Sequence, residues 1–432
     1  MSDKENVVLT HKHVLICLED RFQHLNASYR HELEYIKSHF CGTVHTNLEN
    51  VAYSSDSTIY LCGDIGDNYD KIPTGHSVCV IRELSQNYME FREFQLSSTS
   101  RLDNENYHVV NIGEVPINIH NVGVYFRKLF PDDVNYFDQI KSSHDFQTLT
   151  ESNKSSRAFR TGIYLTDVKR LGSEISFNLL RCSTNLSGPT DNFRDVDHQI
   201  LNKVNNVVGS MFEIPVRLNH VLAQIYQNSV QNVDQRKVEK KAMIGAHSDK
   251  TKDMPRHALI AFATFYDNTS LKSSSNKRAP GDMFDVRYKD ASVLTRLHFR
   301  LKKVVCNSGN EQINPSLVKE FSVTLYPNSV FVIPLSTNRL YTHEIKPSVL
   351  SVDKIPTRLG YVIRCSNTKA VFKDGATYID KDENLVKLED ITSDDMKTIK
   401  ELYLAENATA EVVDYSDIYF SMNGGDYRMP IV

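Results

Sequence analysis

Several features that would assign a protein class at once are absent from this chain. It has no tryptophan, and its seven cysteines are scattered without a C-x-x-C pair. That pattern argues against a zinc site or a disulfide framework and favours reduced thiols in an intracellular protein. The formal net charge of −4 excludes the overall basic bias that is typical of many nucleic-acid binders, so only local basic patches could serve that role.

Long apolar runs are missing as well. No stretch approaches the roughly 20 apolar residues that a membrane-spanning helix needs, and the polar start M-S-D-K-E-N has no features of a signal peptide. The stretch Cys62–Asp67 has neither the third glycine nor the Gly-Lys-Ser/Thr ending of a phosphate loop, so we interpret it as a turn. We expect a cytoplasmic or nuclear protein without a membrane segment.

The chain does contain a mixture of strand and helix patterns, in three regions. Residues 1–115 are predicted to form a smaller N-terminal α/β region of unknown role, with a helix at Arg21–His39 and strands at Val14–Leu18, Thr58–Cys62, Ser77–Ile81 and Tyr88–Leu96. Residues 371–432 form a C-terminal extension, in which Thr392 precedes a helical run. The region between them, 120–370, carries the candidate site.

The region 120–370 begins with helices and strands and continues as many short strands. The predicted helices cover 132–140 and 196–212, and the first predicted strands cover 162–166 and 175–180. From Leu218 to Arg364, short strands separated by polar breaks are typical of a β-sandwich or jelly roll. Two polar inserts stand out, Asn228–Lys241 and Leu271–Pro280, and we interpret the second as a flexible loop.

The stretch I-G-A-H-S-D, at residues 244–249, carries a chemical signal. His247 and Asp249 project to the same side of an extended backbone because they are two residues apart. They would supply two groups of a 2-His-1-carboxylate triad, which binds Fe(II) and leaves coordination positions open. The third ligand should be a distant histidine, and His343 in N-R-L-Y-T-H-E-I is the best candidate. The alternative is a loop histidine beside a solvated aspartate.

A second signal is the pair of arginines in R-L-G-Y-V-I-R. Arg358 and Arg364 are an even number of residues apart, so in a strand they face the same side, with Gly360 between them. Two guanidinium groups inside a barrel are costly unless they meet anions, and a dicarboxylate lying along that face would pair with both. The alternatives are that one arginine pairs with a protein carboxylate, or that the strand lies at a sheet edge.

Four motifs, in their order along the chain, resemble those of the Fe(II)/2-oxoglutarate-dependent dioxygenases, in particular those of the AlkB-like group. They are L-N-H-V-L-A-Q-I-Y, I-G-A-H-S-D, R-L-Y-T-H-E-I and R-L-G-Y-V-I-R. The resemblance covers about residues 120–370 and implies an α+β fold whose core is a double-stranded β-helix, or jelly roll, with flanking helices. It implies Fe(II) bound by His247, Asp249 and His343, with 2-oxoglutarate and O2 as co-substrates.

The resemblance also implies roles for four residues that contact the co-substrate. Arg358 would anchor the distal carboxylate of 2-oxoglutarate, and Arg364 would lie near its metal-bound end. Tyr226 would hydrogen-bond 2-oxoglutarate, and Gln224 stands where the family has asparagine. The chain departs from the family pattern where K-T-K-D replaces an acidic pair, so that Asp253 is a candidate substitute, and where Gly360 replaces an asparagine.

The implied reaction is hydroxylation of a C–H bond, with oxidative demethylation or hydroxylation of a nucleobase in RNA or DNA as the first hypothesis. Basic residues cluster at 236–241, 250–252 and 277–278, where they would either follow a phosphate backbone or be solvated loop side chains. The alternatives are a protein or small-molecule substrate, or a non-catalytic jelly-roll binding protein. The sequence leaves the oligomeric state open.

Overall fold

The chain folds into a mixed α+β structure in which most sheets are antiparallel. The computed structural model describes residues 12–18, 22–49, 51, 53–54, 57–65, 76–86, 107–149, 160–214, 216–233, 236–274, 277–279, 281–307, 317–381, 384–415 and 418–432. The strand predicted at Tyr88–Leu96 lies outside these residues. Within them, no helix is both long enough and apolar enough to cross a bilayer.

The N-terminal region is built on a parallel sheet. Its elements are β1 (Val14–Cys17), α1 (Ala27–His39), β2 (Thr43–His45), β3 (Thr58–Asp64), β4 (Ser77–Gln86) and β5 (Tyr107–Val110). The strand order is β2-β1-β3-β4-β5, and every pairing is parallel. The α1 helix begins later than predicted because the Asn26 side chain caps it, accepting a 3.0 Å hydrogen bond from the Tyr29 backbone N–H.

The turn predicted at Cys62–Asp67 is wrong in its first residues, because β3 continues to Asp64. Gly63 adopts a φ of 101°, which glycine tolerates without strain, and the pairing of β3 with β4 shifts register at this point. Glycine therefore marks an irregularity within a strand here rather than the end of that strand.

The central region contains most of the strands. It begins with β6 (Ile117–Ile119), β7 (Gly123–Phe126), α2 (Tyr136–Ser143), β8 (Gln147–Thr148), β9 (Arg160–Thr166), β10 (Lys169–Leu171), β11 (Glu174–Leu179), β12 (Asp191–Asn192) and α3 (Asp195–Val208). It continues with β13 (His220–Tyr226), β14 (Ser229–Val233), β15 (Arg236–Lys240), β16 (Ile244–His247), β17 (Leu259–Tyr266), α4 (Asn268–Ser274), β18 (Lys277–Ala279), β19 (Asp282–Tyr288) and β20 (Ala291–Ser292). It ends with β21 (Arg296–Leu301), α5 (Lys303–Asn307), β22 (Glu320–Thr324), β23 (Ser329–Pro334), α6 (Leu335–Leu340), β24 (Tyr341–Ile345) and β25 (Arg358–Arg364).

Two sheets of the central region pack against each other. The larger has the order β12-β9-β13-β25-β17-β23-β7-β6, and the smaller has the order β16-β24-β21-β22. Strands β13 and β17 are buried along their whole length, which explains why their sequences are almost continuously apolar. Aromatic contacts join the sheets: the Phe262 and His343 ring centroids are 5.5 Å apart, and those of Phe299 and Phe331 are 5.8 Å apart.

The two polar inserts are more regular than their composition suggests. Asn228–Lys241 contains the hairpin of β14 and β15. The prediction of a flexible loop at Leu271–Pro280 is wrong for its described residues, because α4 continues to Ser274 and β18 pairs with β19. The Asp267 carboxylate accepts a 3.0 Å hydrogen bond from the Ser270 backbone N–H, so a local cap starts a helix in a polar sequence.

The C-terminal segment is joined to the central region through a third sheet and a helix. Its elements are β26 (Thr368–Lys373), β27 (Ala376–Lys381), β28 (Asn384–Lys387) and α7 (Ser393–Ala408). Strand β26 pairs with β11, giving the sheet order β10-β11-β26-β27-β28. The helix predicted after Thr392 is confirmed, and its capping box is formed by Thr392 and Asp395.

The N-terminal sheet and the central region share one hydrophobic core. A buried ion pair joins Arg127, the residue after β7, to Glu32 on α1, and the Arg127 guanidinium also lies 4.8 Å from the centroid of the Tyr35 ring. The His13 ring nitrogen Nε2 lies 3.1 Å from the Ser210 carbonyl oxygen. These contacts hold the parallel sheet against the same body that contains the candidate site.

Candidate metal centre

Two neighbouring strands of the smaller sheet bring the three predicted metal ligands together. His247 ends β16 and is the direct cross-strand partner of His343 on β24. Asp249 follows β16 by two residues. Its Oδ1 atom lies 3.5 Å from His247 Nε2 and 3.7 Å from His343 Nε2. One ligand atom from each residue falls within 4.8 Å of the others, which is close enough for all three to share one metal ion.

The two histidine rings are oriented so that Nε2 is directed to the common point. His247 Nδ1 lies 2.9 Å from the Gly245 carbonyl oxygen, so Nδ1–H donates there and the lone pair of Nε2 remains for a ligand bond. His343 is buried between aromatic rings, with centroid distances of 5.5 Å to Phe262 and 5.7 Å to Phe299. Burial, with His247 beside it, lowers the pKa of His343 to about 3, so the ring is neutral, as metal coordination requires.

The Asp249 carboxylate divides its two oxygens between two partners. Oδ1 faces the histidines, while Oδ2 accepts a hydrogen bond from Arg364 Nε at 2.8 Å and lies 2.7 Å from Arg364 Nη2 in an ion pair. Burial on its own would raise the pKa of Asp249, but the Arg364 guanidinium, together with His247 and His343, outweighs burial and holds that pKa well below its usual value. Asp249 is therefore an anion with one oxygen fixed and the other available.

The backbone of Asp249 is held by a side chain of the helix that precedes β24. The Asp249 N–H donates to Asn338 Oδ1 at 2.8 Å, and Asn338 Nδ2 donates to the Asp249 carbonyl at 2.9 Å. Asn338 itself is 2% exposed, so this reciprocal pair lies in the interior. It fixes the carboxylate relative to β24 and therefore relative to His343.

A cavity of about 550 Å³ adjoins the three ligands and extends along the cavity face of β25. Its lining includes Arg364 at the metal end and Arg358 at the far end, so the predicted placement of both arginines on one face agrees with the structure. Arg358 is 4% exposed, and its Nε and Nη2 atoms have no hydrogen-bond partner among the described residues. This is a buried cation without a hydrogen-bonded anion.

The residues around Arg358 leave space for its guanidinium. Its carbon Cζ lies 3.9 Å from the centroid of the Tyr226 ring, the cross-strand partner of Arg358 on β13. A Cβ atom on Gly360 would come within 2.8 Å of Arg358 Nη1, so a larger residue there would displace the guanidinium from its present position. The Tyr226 hydroxyl donates to Gln224 Oε1 at 3.0 Å, and both residues line the cavity.

Asp253 is not part of this cavity lining. It forms a buried ion pair with Arg181, with 2.6 Å between Arg181 Nη2 and Asp253 Oδ1, and it accepts a further bond from the Arg181 backbone N–H. It also accepts a 2.8 Å bond from the Thr368 hydroxyl. Its carboxylate oxygens are thus engaged in joining structural segments, and the suggestion that Asp253 substitutes for the family's acidic pair in the site is wrong.

Some lining residues were not anticipated from the sequence. Four of them, Lys400, Tyr403, Leu404 and Asn407, come from α7, and a fifth, Arg160, comes from β9. Arg160 on β9 is the cross-strand partner of Tyr226 on β13, and Tyr226 is in turn the cross-strand partner of Arg358 on β25. Lys400, Leu404 and Asn407 are four and then three residues apart, a spacing that places them on one helical face, but nothing in the sequence indicated what that face contacts.

The basic clusters have different environments. Arg236 and Lys237 on β15 are exposed. Lys250 is buried and donates to the Tyr403 carbonyl at 2.9 Å, and Lys252 donates to the Phe420 carbonyl at 3.2 Å. The side chains of residues 277–278 lie outside the described part of the chain. Both lysines are therefore bonded within the chain, Lys250 in the interior and Lys252 half-buried.

Comparisons with known proteins give little beyond this geometry. No protein-family model and no curated protein matches the chain. Among solved structures, the chain is similar to one titled "The structure of OsALKBH1", with 12% sequence identity over 56% of this chain and 97% of that one. The TM-score of that match is 0.30, which does not establish a shared fold.

Proposed function

We propose that the chain is an Fe(II)- and 2-oxoglutarate-dependent dioxygenase whose core is a jelly roll formed by the two facing sheets. The observation that carries the proposal is a combination within one cavity: three convergent ligand atoms at one end, and at the other a buried arginine that no described residue supplies with a hydrogen-bonded anion. A metal ion alone would explain the first feature. A small dicarboxylate that reaches from the metal to Arg358 explains both.

The donor set fits the proposed cofactor. Two neutral imidazoles and one carboxylate are the ligands of non-haem Fe(II) sites that keep positions open. Bound Fe(II), with 2-oxoglutarate and O2, supplies oxidative decarboxylation of 2-oxoglutarate to succinate and CO2, coupled to hydroxylation of a substrate C–H bond. In this assignment His247, Asp249 and His343 hold the ion, and the carboxylate charge of Asp249 partly neutralises it.

The protein's other residues would bind and orient the co-substrate. Arg358 would pair with the distal carboxylate, and the Tyr226 hydroxyl and Gln224 amide would offer hydrogen bonds along the same wall. Arg364 Nη1 is also buried without a partner among the described residues, so Arg364 can fix Asp249 and still donate toward the metal-bound end of the diacid. Apolar neighbours such as Phe262 and Leu222 would limit water in the cavity.

For the substrate we propose a modified nucleobase in RNA or DNA. The support is the exposed basic pair Arg236 and Lys237, which lies on β15 immediately before the metal strand β16. Such a pair suits contacts to phosphates on the outside of the site, while the base itself would enter the cavity. Lys250 and Lys252 have no part in this proposal because they are bonded internally.

The experiment that tests the proposal is succinate formation by the purified chain with Fe(II), ascorbate and 2-oxoglutarate. We expect slow succinate release without substrate, and faster release with release of formaldehyde when a methylated oligonucleotide is added. A protein that binds no Fe(II) and forms no succinate would contradict the dioxygenase assignment. Succinate formation that no methylated RNA or DNA oligonucleotide stimulates would contradict only the proposed substrate class.

A further inference from the structure

The C-terminal helix α7 contacts the segment that carries two of the proposed metal ligands. Ser248 lies between His247 and Asp249 and is 1% exposed. Its backbone N–H donates to Asn407 Oδ1 at 2.9 Å, and its hydroxyl donates to the Tyr341 carbonyl at 3.1 Å. The residue between the two ligands is therefore bonded on one side to α7 and on the other to β24.

The same Asn407 oxygen accepts a second hydrogen bond. Lys250 Nζ donates to Asn407 Oδ1 at 2.8 Å and to the Tyr403 carbonyl at 2.9 Å. One residue further on, the Thr251 backbone N–H donates to Glu406 Oε1 at 3.0 Å. Three of the four residues Ser248–Thr251 thus bond to the last two turns of α7, and Asp249 bonds to Asn338 instead.

The position of Asn407 is itself fixed by a buried cation. Lys302 is 4% exposed, and its Nζ atom donates to the Glu406 carbonyl at 2.5 Å and to the Thr409 carbonyl at 2.9 Å. The Glu406 carbonyl belongs to the last turn of α7 and Thr409 is the residue that caps its C-terminus, where a positive charge also interacts favourably with the helix dipole. The end of α7 is consequently a rigid support rather than a fraying terminus.

Strand β16 ends at His247, so the backbone N–H groups of the next residues have no ladder partner. A buried N–H without an acceptor is costly, and the segment would move to find one if Asn407 were removed. We infer that Asn407 is a positioning residue that acts through Ser248 to hold His247 and Asp249 toward one metal ion. This inference rests on the proposed function, because it assumes that these ligands bind the ion.

The test is Mn(II) binding to the full-length chain, measured by isothermal titration and by the Mn(II) electron paramagnetic resonance signal. We expect Asn407→Ala to weaken Mn(II) binding about tenfold or more, the usual effect of losing a group that orients a metal ligand. Asn407→Asp keeps the acceptor oxygen and should restore most of the affinity. Glu401→Ala is the matched control, since Glu401 is exposed on the same helix outside the cavity lining.

Each outcome separates this inference from the proposed function. If the unaltered chain binds no Mn(II), the proposed metal centre fails and the role of Asn407 fails with it. If the unaltered chain binds Mn(II) and folded Asn407→Ala binds it equally well, the metal centre stands and the positioning role is wrong. Asn407→Gln, which keeps the amide but moves it by one methylene, replaces Asn407→Ala if that variant does not fold, with the same expected weakening.

Discussion

The two ends of β25 contain the same side chain in opposite situations. Arg364 and Arg358 are 6% and 4% exposed, so the two are equally buried. Arg364 donates a hydrogen bond from Nε to Asp249 and forms an ion pair with it, whereas Arg358 has Nε and Nη2 without partners among the described residues and lies over the face of the Tyr226 ring. Burial thus says little about function here. The distinguishing feature is whether the protein supplies the counter-charge.

The difference suggests a division of roles along one strand. The Arg364–Asp249 pair is complete within the chain, and breaking it would leave an uncompensated buried charge. Arg358 carries such a cost already, offset by the rest of the folded structure and reduced by the aromatic ring. An anion that pairs with Arg358 would remove the cost and would stabilise the folded state by RT ln(1 + L/Kd), where L is the free concentration of the anion.

The largest expected effect is at the metal end. Asp249→Ala removes a proposed ligand and leaves Arg364 buried without an anion, so we expect no succinate formation. We also expect a loss of about 3–5 kcal/mol in the free energy of unfolding, measured by urea denaturation without metal. Adding Arg364→Met to Asp249→Ala should recover part of that stability. Native succinate formation by folded Asp249→Ala would exclude Asp249 from the metal centre.

At the far end, removing the charge should have the opposite effect on stability. Arg358→Met should leave the free energy of unfolding unchanged or slightly higher, because no carboxylate in the described part of the chain loses its partner. The KM for 2-oxoglutarate should rise about 10- to 100-fold, matching the ~1.5–3 kcal/mol of a charged hydrogen bond. Succinate formation over a range of 2-oxoglutarate concentrations measures the KM, and thermal unfolding measures the stability.

Arg364→Met is the matched control for that variant, since it places the same methionine at the other end of the strand. It should lower the free energy of unfolding where Arg358→Met does not. An Arg358→Met variant with an unchanged KM, or one as unstable as Arg364→Met, would mean that the two ends of β25 do not differ as described.

The smallest effect concerns the opposite face of β25, where charges are fully paired. His144 Nδ1 lies 2.7 Å from Asp191 Oδ2 and His144 Nε2 lies 2.8 Å from Asp197 Oδ2, while the Tyr361 hydroxyl donates to Asp197 Oδ1 at 2.6 Å. Burial would lower the pKa of His144, but hydrogen bonds to the two carboxylates raise it to about 9.

A raised histidine pKa fixes the direction of the pH effect. The stabilisation by protonated His144 is complete below about pH 6.5, the ordinary pKa, and is lost as pH rises through about 9. We expect the midpoint of urea unfolding to fall over this interval, and His144→Gln to remove that part of the fall. An identical pH profile for His144→Gln would show that this histidine does not stay protonated in the folded chain.

The sequence was sufficient to predict those parts of the site that depend on the spacing of residues within one strand. His247 and Asp249 are two residues apart, and Arg358 and Arg364 share a strand face, so their alignment follows from backbone geometry. The alternative that one arginine pairs with a protein carboxylate also describes Arg364. That Asp249 is the carboxylate could not be read from the chain, because the pairing depends on how β16 and β25 lie across the cavity.

The features that the sequence did not predict are strands of polar composition and contacts that depend on tertiary packing. The hairpin of β14 and β15 is polar on both faces, so it lacks the apolar alternation that predicts a strand. The contact of Asn407 with Ser248 joins residues 159 positions apart. No local pattern indicates such a contact, although the helix that carries Asn407 was predicted from the start signal at Thr392.

The docking of α7 beside Ser248 has a consequence for biosynthesis. Ribosomes make the chain from its N-terminus, so both histidines, Asp249 and both arginines emerge before Ser393, where α7 begins. A nascent chain arrested after β25 would have every proposed ligand but would lack the wall that Tyr403, Leu404 and Asn407 provide. The cavity can therefore be completed only late in synthesis, because α7 is translated after all the proposed ligands.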